Sequence, residues 1–166
     1  MPTRYRYALH YRNAYDATPV NVRPLLPMHP ATEGLQLYTD DERLRRRLQA
    51  SKWRYIREYL VAVAAPDPSI GMSRLQGRPV VQGIGRATRP RQVACSPVAA
   101  PPRSRELWVR IVACDGDDTT IWQLCEAVQW QVTRLIRTRV GQLHLGMLRG
   151  KAARLLTDRS ARSILL

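Results

Sequence analysis

Phenylalanine is absent from this 166-residue chain, lysine occurs only at 52 and 151, and cysteine only at 95, 114 and 125. The three thiols are widely spaced and form no C-x-x-C pair. That spacing speaks against a disulfide framework and against a zinc ribbon, so a reducing compartment is expected and no metal or cofactor is implied. No run approaches the ~20 apolar residues that a bilayer-spanning helix requires, so no membrane is expected among the partners. Acidic residues are also scarce, 13 against 27 basic ones, which leaves a net charge of +14. Such an excess lies outside the range usual for an enzyme acting on small neutral molecules and points to a polyanionic partner. Because nearly every cation is an arginine, whose planar fork matches phosphate with two hydrogen bonds, nucleic acid is preferred over a membrane surface.

What remains is enough for a core. Hydrophobic residues make up 45% of the chain and charged ones 24%, which predicts one folded domain rather than a disordered chain. Tyr5, Tyr7, Leu9 and Tyr11 alternate with Arg4, Arg6, His10 and Arg12 as in a half-buried strand, while the basic start also has the composition of an organelle import segment. Pro19, Pro24, Pro27 and Pro30 mark residues 16–32 as loop. Leucines at 44 and 48 amid charge predict a short surface helix over 42–50, and residues 55–64 read as a strand that stops at Pro66. One or two helical turns fit 69–76, and short strands joined by turns fit 77–102, with a loop over 96–104. Another strand is predicted over 107–113. A helix from about 119 to 129 follows, with Ile121, Leu124, Cys125 and Val128 on one face. Residues 134–145 alternate as a strand, and the basic tail after Gly150 is expected to be partly disordered.

Three segments carry a likeness: residues 32–41 (TEGLQLYTDD) with Leu44 and Leu48, residues 57–61 (REYLV), and residues 124–146 (LCEAVQWQVTRLIRTRVGQLHLG). In this order they resemble the catalytic domain of the RsuA-type pseudouridine synthases, enzymes that convert particular uridines of ribosomal RNA. The third is similar to that family's L-x-R-x-R-I-G-x-L-x-L-G strand, and the second to its K-x-Y-L-V strand. The likeness spans about residues 25–157. It implies an α+β fold, a mixed, largely antiparallel sheet flanked by helices, without the small RNA-binding domain that the family carries ahead of the catalytic one. The domain is expected over residues 1–157, with an N-terminal strand and loop over 1–24 and a basic tail over 158–166.

The departures from that pattern bear on function. Aligning Thr32-Glu-Gly-Leu35 with the family's G-R-L-D-x-x-S/T-x-G-L places the catalytic Asp at His29. The reaction needs a carboxylate to attack the ribose anomeric carbon or to take a sugar proton, and a neutral imidazole does neither readily. His29, lying in Pro27-Met-His-Pro30, reads most simply as a loop histidine. Trp122 falls where the family has the basic partner of that Asp, and Asp117 and Asp118 replace cations and invert the charge at the cleft mouth. Tyr59, which the likeness would set against a target base, reads as a core or cross-strand aromatic. The expectation is therefore no enzyme but a degenerate synthase, binding ribosomal RNA and ribosomal or assembly-factor proteins within a mitochondrial ribosome or its assembly intermediate, in the matrix. The alternatives are an active synthase with an atypical site, or a protein-only scaffold pairing with a genuine synthase. RNA contacts are expected at Arg134, Arg137, Arg139, Arg149, Lys151 and Arg154, with a second patch at Arg43 and Arg46.

Overall fold

The computed structural model describes residues 7–12, 23–50, 55–64, 68–76, 81–83, 86–88, 93–114, 117–148 and 153–155. Its strands are β1 (Tyr7–Arg12), β2 (Arg23–Leu25), β3 (Thr32–Thr39), β4 (Arg57–Ala64), β5 (Val81–Gly83), β6 (Arg86–Thr88), β7 (Val93–Val98), β8 (Leu107–Ala113), β9 (Gln131–Val140), β10 (Leu143–His144) and β11 (Ala153–Leu155). The helices are α1 (Glu42–Ala50), α2 (Pro68–Gln76) and α3 (Asp118–Ala127). Nine strands form one sheet in the order β11-β1-β3-β9-β4-β8-β7, with β10 paired to β9 and β2 to β3, while β5 and β6 make a separate hairpin. Within that sheet β3 and β9 run parallel and the other described pairings are antiparallel. The α+β expectation is met.

Pairing and burial follow the side-chain period of two. Along β4, Arg57, Tyr59, Val61 and Val63 are buried and point to one face, with Glu58 and Leu60 half-covered on the other. α3 lies against the buried face. Asp117 caps its N-terminus, the carboxylate accepting from the Thr120 N–H, and Ile121, Leu124, Cys125 and Val128 enter the core as their spacing predicts. Leu135, Val109, Ile111 and Leu75 complete this apolar cluster. Within it the Cys95 and Cys125 thiols are pushed up by burial to about 11 and about 12. A second cluster joins Leu44 and Leu48 of α1 to Leu25, Leu35, Leu37, Val140 and Leu143. No described helix is long and apolar enough to cross a membrane.

Two local expectations are corrected. The loop expected over 96–104 begins later, because β7 continues through Val98; it is the terminal strand of the sheet, where Pro97 removes no needed donor. Inside the proline-rich stretch, Arg23–Leu25 pairs with β3 in spite of Pro24. In the tail after Gly150, Ala153–Leu155 pairs with β1; residues 158–166 lie outside the described residues.

Candidate functional site

The site lies where the sheet splits. β9 pairs with β3 only over Thr32–Gly34, and β2 takes the same edge of β3 from Leu37 onward. Between them the ladder is interrupted, and side chains replace the missing backbone partners. Arg137 donates from Nε to the Leu35 carbonyl at 2.8 Å and from Nη1 to the Leu26 carbonyl at 3.0 Å. Gln36 donates to the carbonyls of Leu25 and Leu37. Gly34 permits the close approach of β3 to β9: its φ is +100°, and a Cβ there would collide with the Arg137 carbonyl oxygen.

The loop carrying His29 is held from three sides. From β1, Arg12 donates to the carbonyls of His29, Pro30 and Thr32. From β9, Arg137 holds the Leu26 carbonyl, and Leu26 itself adopts a left-handed φ of +48°. From α3, the Asp118 carboxylate accepts the His29 backbone N–H at 3.0 Å, and the Trp122 indole reaches the Thr32 hydroxyl at 3.4 Å. The His29 ring is exposed; its Nδ1 accepts from the Ala31 N–H, and its centroid lies 5.8 Å from that of Trp122. His29 and Trp122 thus meet each other.

Asp118 is the main departure from the sequence reading. It was expected at a cleft mouth, but it is 1% exposed. Its Oδ1 accepts from the Tyr59 hydroxyl at 2.8 Å and lies 3.4 Å from Arg137 Nη1, while Oδ2 takes the His29 N–H. In the sequence D-G-D-D, one carboxylate caps the helix and the very next residue turns inward; periodicity does not distinguish them. Tyr59 belongs to the apolar core as expected, but its hydroxyl is committed to this carboxylate. Burial first, and then the neighbouring Asp118 charge, hold the phenol well above its usual range. Beside this cluster is a pocket of about 290 Å³ lined by Leu26, Pro27, Gln49, Arg57, Asp117 and Arg137. Arg57 is 3% exposed, and burial lowers its guanidinium below the usual range.

The expected RNA contacts separate by position. Arg137 is corrected: it shares the inward face of β9 with Leu135 and is 1% exposed, out of reach of a surface polyanion. Arg134, on the opposite face, is exposed and makes a two-point ion pair with Glu33. Arg139 is half-buried and donates to the Gly141 carbonyl. Arg43, Arg46 and Arg154 are exposed, Arg46 pairing with Glu42. Arg149 and Lys151 lie outside the described residues. Among the described residues, no group of three or more His, Cys, Asp or Glu side chains could hold a metal ion.

No family model matches the chain. It is 29% identical over 148 residues to ribosomal large subunit pseudouridine synthase B of Buchnera aphidicola subsp. Acyrthosiphon pisum (strain APS), a match covering 81% of this chain and 56% of that protein. The chain therefore spans little more than half the length of this curated relative. A solved pseudouridylate synthase superposes with a TM-score of 0.76 at 16% identity, over 96% of this chain and 73% of that one. A chain of a Cbf5-Nop10-Gar1 complex superposes with a TM-score of 0.53 at 15% identity, over 75% and 41%. At these identities the two superpositions speak for the fold alone. The order of the three motifs, the sheet topology and the Buchnera relative agree: the chain has a pseudouridine-synthase-like fold and is similar in sequence to a ribosomal large subunit pseudouridine synthase.

Proposed function

We propose that this domain is a catalytically inactive relative of the synthases that binds ribosomal RNA and neighbouring proteins as a component of a mitochondrial ribosome or its assembly intermediate. One observation carries the inactivity. His29 stands where the likeness expects the reactive carboxylate, and the carboxylate nearest to it, Asp118, is 1% exposed and engaged by Tyr59, Arg137 and the His29 N–H. A group that must reach the sugar of a substrate needs an open approach, and one enclosed by three donors has none. RNA binding is supported by the charge of +14 and by the exposed arginines of α1, together with the name of the Buchnera relative, which places its reaction on the large ribosomal subunit.

Purified protein incubated with ribosomal RNA transcripts is expected to form no pseudouridine. In filter binding, affinity should fall with salt, each neutralised phosphate contributing a slope of about −0.7 to −0.9 in log K against log salt. Arg43→Gln with Arg46→Gln should weaken binding and flatten that slope. A second reading, an active synthase using Asp118 as its acid, is favoured by the Tyr59 hydroxyl and Arg137 both addressing that carboxylate. Conversion by the wild type that disappears in Asp118→Asn would establish it in place of the first. If RNA affinity is indifferent to salt and to the α1 arginines, the domain is better described as a protein-only scaffold.

A further inference from the structure

The two flanks of helix α1 are not alike. Leu44 and Leu48 turn into the core beside Leu25 and Leu35. At about 100° per residue, Glu42, Arg45 and Gln49 then fall on one flank and Arg43 and Arg47 on the other, with Arg46 at the crest between them. The first flank satisfies itself. Arg45 donates to both oxygens of Glu42 and to Gln49 Oε1, and Arg46 reaches the same carboxylate at 3.2 Å. On the second flank, Arg43 and Arg47 are exposed and form no ion pair among the described residues. Of the other acids nearby, Asp41 accepts the backbone N–H groups of Arg43 and Leu44, and Asp40 precedes the helix, so the ridge grows more basic toward its C-terminal end. Arg23 adds an exposed cation next to α1, since on β2 it shares a face with Leu25, which lies in one cluster with Leu44 and Leu48.

The aromatic rings supply a second observation. Unpaired RNA is gripped by stacking its bases on exposed aromatic side chains. Among the described residues, Tyr38, Tyr55, Tyr59, Trp108 and Trp130 are 8% exposed or less, and Trp122 is half-buried beside His29. The exposed residues of α1 include no aromatic. We propose that α1 binds paired RNA along its phosphate backbone through Arg43, Arg46 and Arg47 without reading bases, an inference that rests on the ribosomal-RNA reading above and names the form of RNA. Arg43 and Arg47 stand one turn apart, about 6 Å along the axis, close to the separation of neighbouring phosphates on one strand. A surface that offers only guanidinium groups suits a backbone whose phosphates are already fixed in place, and a duplex presents them so, whereas an unpaired strand must be ordered on binding.

The test is fluorescence anisotropy of the full chain with an end-labelled RNA hairpin and an unpaired strand of equal length, so that both carry the same number of phosphates. The hairpin should bind at least about tenfold more tightly, and hairpins of unrelated sequence should bind alike within about twofold. Arg43→Gln with Arg47→Gln should lower hairpin affinity at least about tenfold, reduce the salt slope by the share of about two phosphates, and remove most of the preference for the paired form. Arg45→Gln, on the self-satisfied flank, should stay within about threefold of the wild type. All of these positions lie on the surface of α1, and the melting temperatures should agree within a few degrees. Equal affinity for the two RNA forms, or equal losses in the two variants, overturns the duplex assignment and leaves ribosomal-RNA binding in place. Undetectable or salt-independent binding of both forms overturns the two readings together.

Discussion

Arg134 and Arg137 lie on one strand three residues apart, and the regions around them are held together by different physics. Toward Leu135 the sheet is covered by α3, and contact is apolar: Leu124, Ile121, Val109 and Ile111 are 0 to 1% exposed. From Arg137 onward the sheet splits, and the gap is filled by Arg12, Gln36, Arg57, Arg137 and Asp118, all 8% exposed or less. The first region depends on volume, which many side-chain combinations supply. The second depends on pairing each donor with an acceptor, so the loss of one group strands several others.

That contrast is sharpest at Asp118. Asp118→Ala leaves the Arg137 charge, the Tyr59 hydroxyl and the His29 N–H without their acceptor at once, and breaking a buried pair in this way costs about 3–5 kcal/mol. Urea unfolding at neutral pH should show it as a lower midpoint. A loss below about 1 kcal/mol would mean that water replaces the carboxylate and that the cluster is not closed. In the apolar region, Leu124→Ala should cost about 2–5 kcal/mol through lost burial and a residual cavity, with its cost set by how far α3 can settle.

A smaller effect is expected at Gly71. Any Cβ there collides with the indole of Trp130, so Gly71→Ala must displace a ring that is 3% exposed. Overpacking of this kind costs about 1–3 kcal/mol. A stability equal to that of the wild type would show that α2 shifts freely over the core. The Trp130 fluorescence maximum should move in the variant, because the ring is the part that yields.

The same contrast decides what could be read from the amino-acid order. The apolar half was legible: Ile121, Leu124, Cys125 and Val128 repeat at helical spacing, and all four are buried. The β-forming residues of 55–64, ending ahead of Pro66, likewise marked β4. The polar half was not legible, because a buried arginine and a solvated one look the same in a sequence. Arg137 was placed on an RNA-facing surface along with Arg134, although an odd offset on a strand sends the two to opposite faces. Asp118 was assigned to the surface with Asp117 for the same reason. β3 gave little sign of itself, since Leu35, Gln36, Leu37, Tyr38 and Thr39 are buried on both faces and show no alternation. The likeness of Thr32-Glu-Gly-Leu35 to the synthase motif marked this segment without predicting a strand there.

The smallest expected effect belongs to the charges that face solvent. On α1, Glu42 pairs with Arg45 at 2.5 Å and with Arg46 at 3.2 Å, one turn along an exposed helix. Hydrogen bonding to Arg45 is the largest influence on its carboxyl, which is held down at about 2 instead of the ordinary 4.5. A group depressed in the folded state stabilises the fold above its unfolded pKa. The contribution of this pair is therefore complete above pH 4.5 and is lost as pH falls toward about 2. Because the pair is fully exposed, solvent and salt screen it, and the melting temperature of Glu42→Gln at neutral pH should match the wild type. The carboxyl itself is the better reporter. In an NMR titration at low salt its midpoint should lie well below that of an unpaired glutamate, and it should rise toward the ordinary value in molar salt. A low-salt midpoint at the ordinary value would show that the arginines of α1 sample solvent rather than Glu42, and so are open to a polyanion along the whole exposed face of the helix.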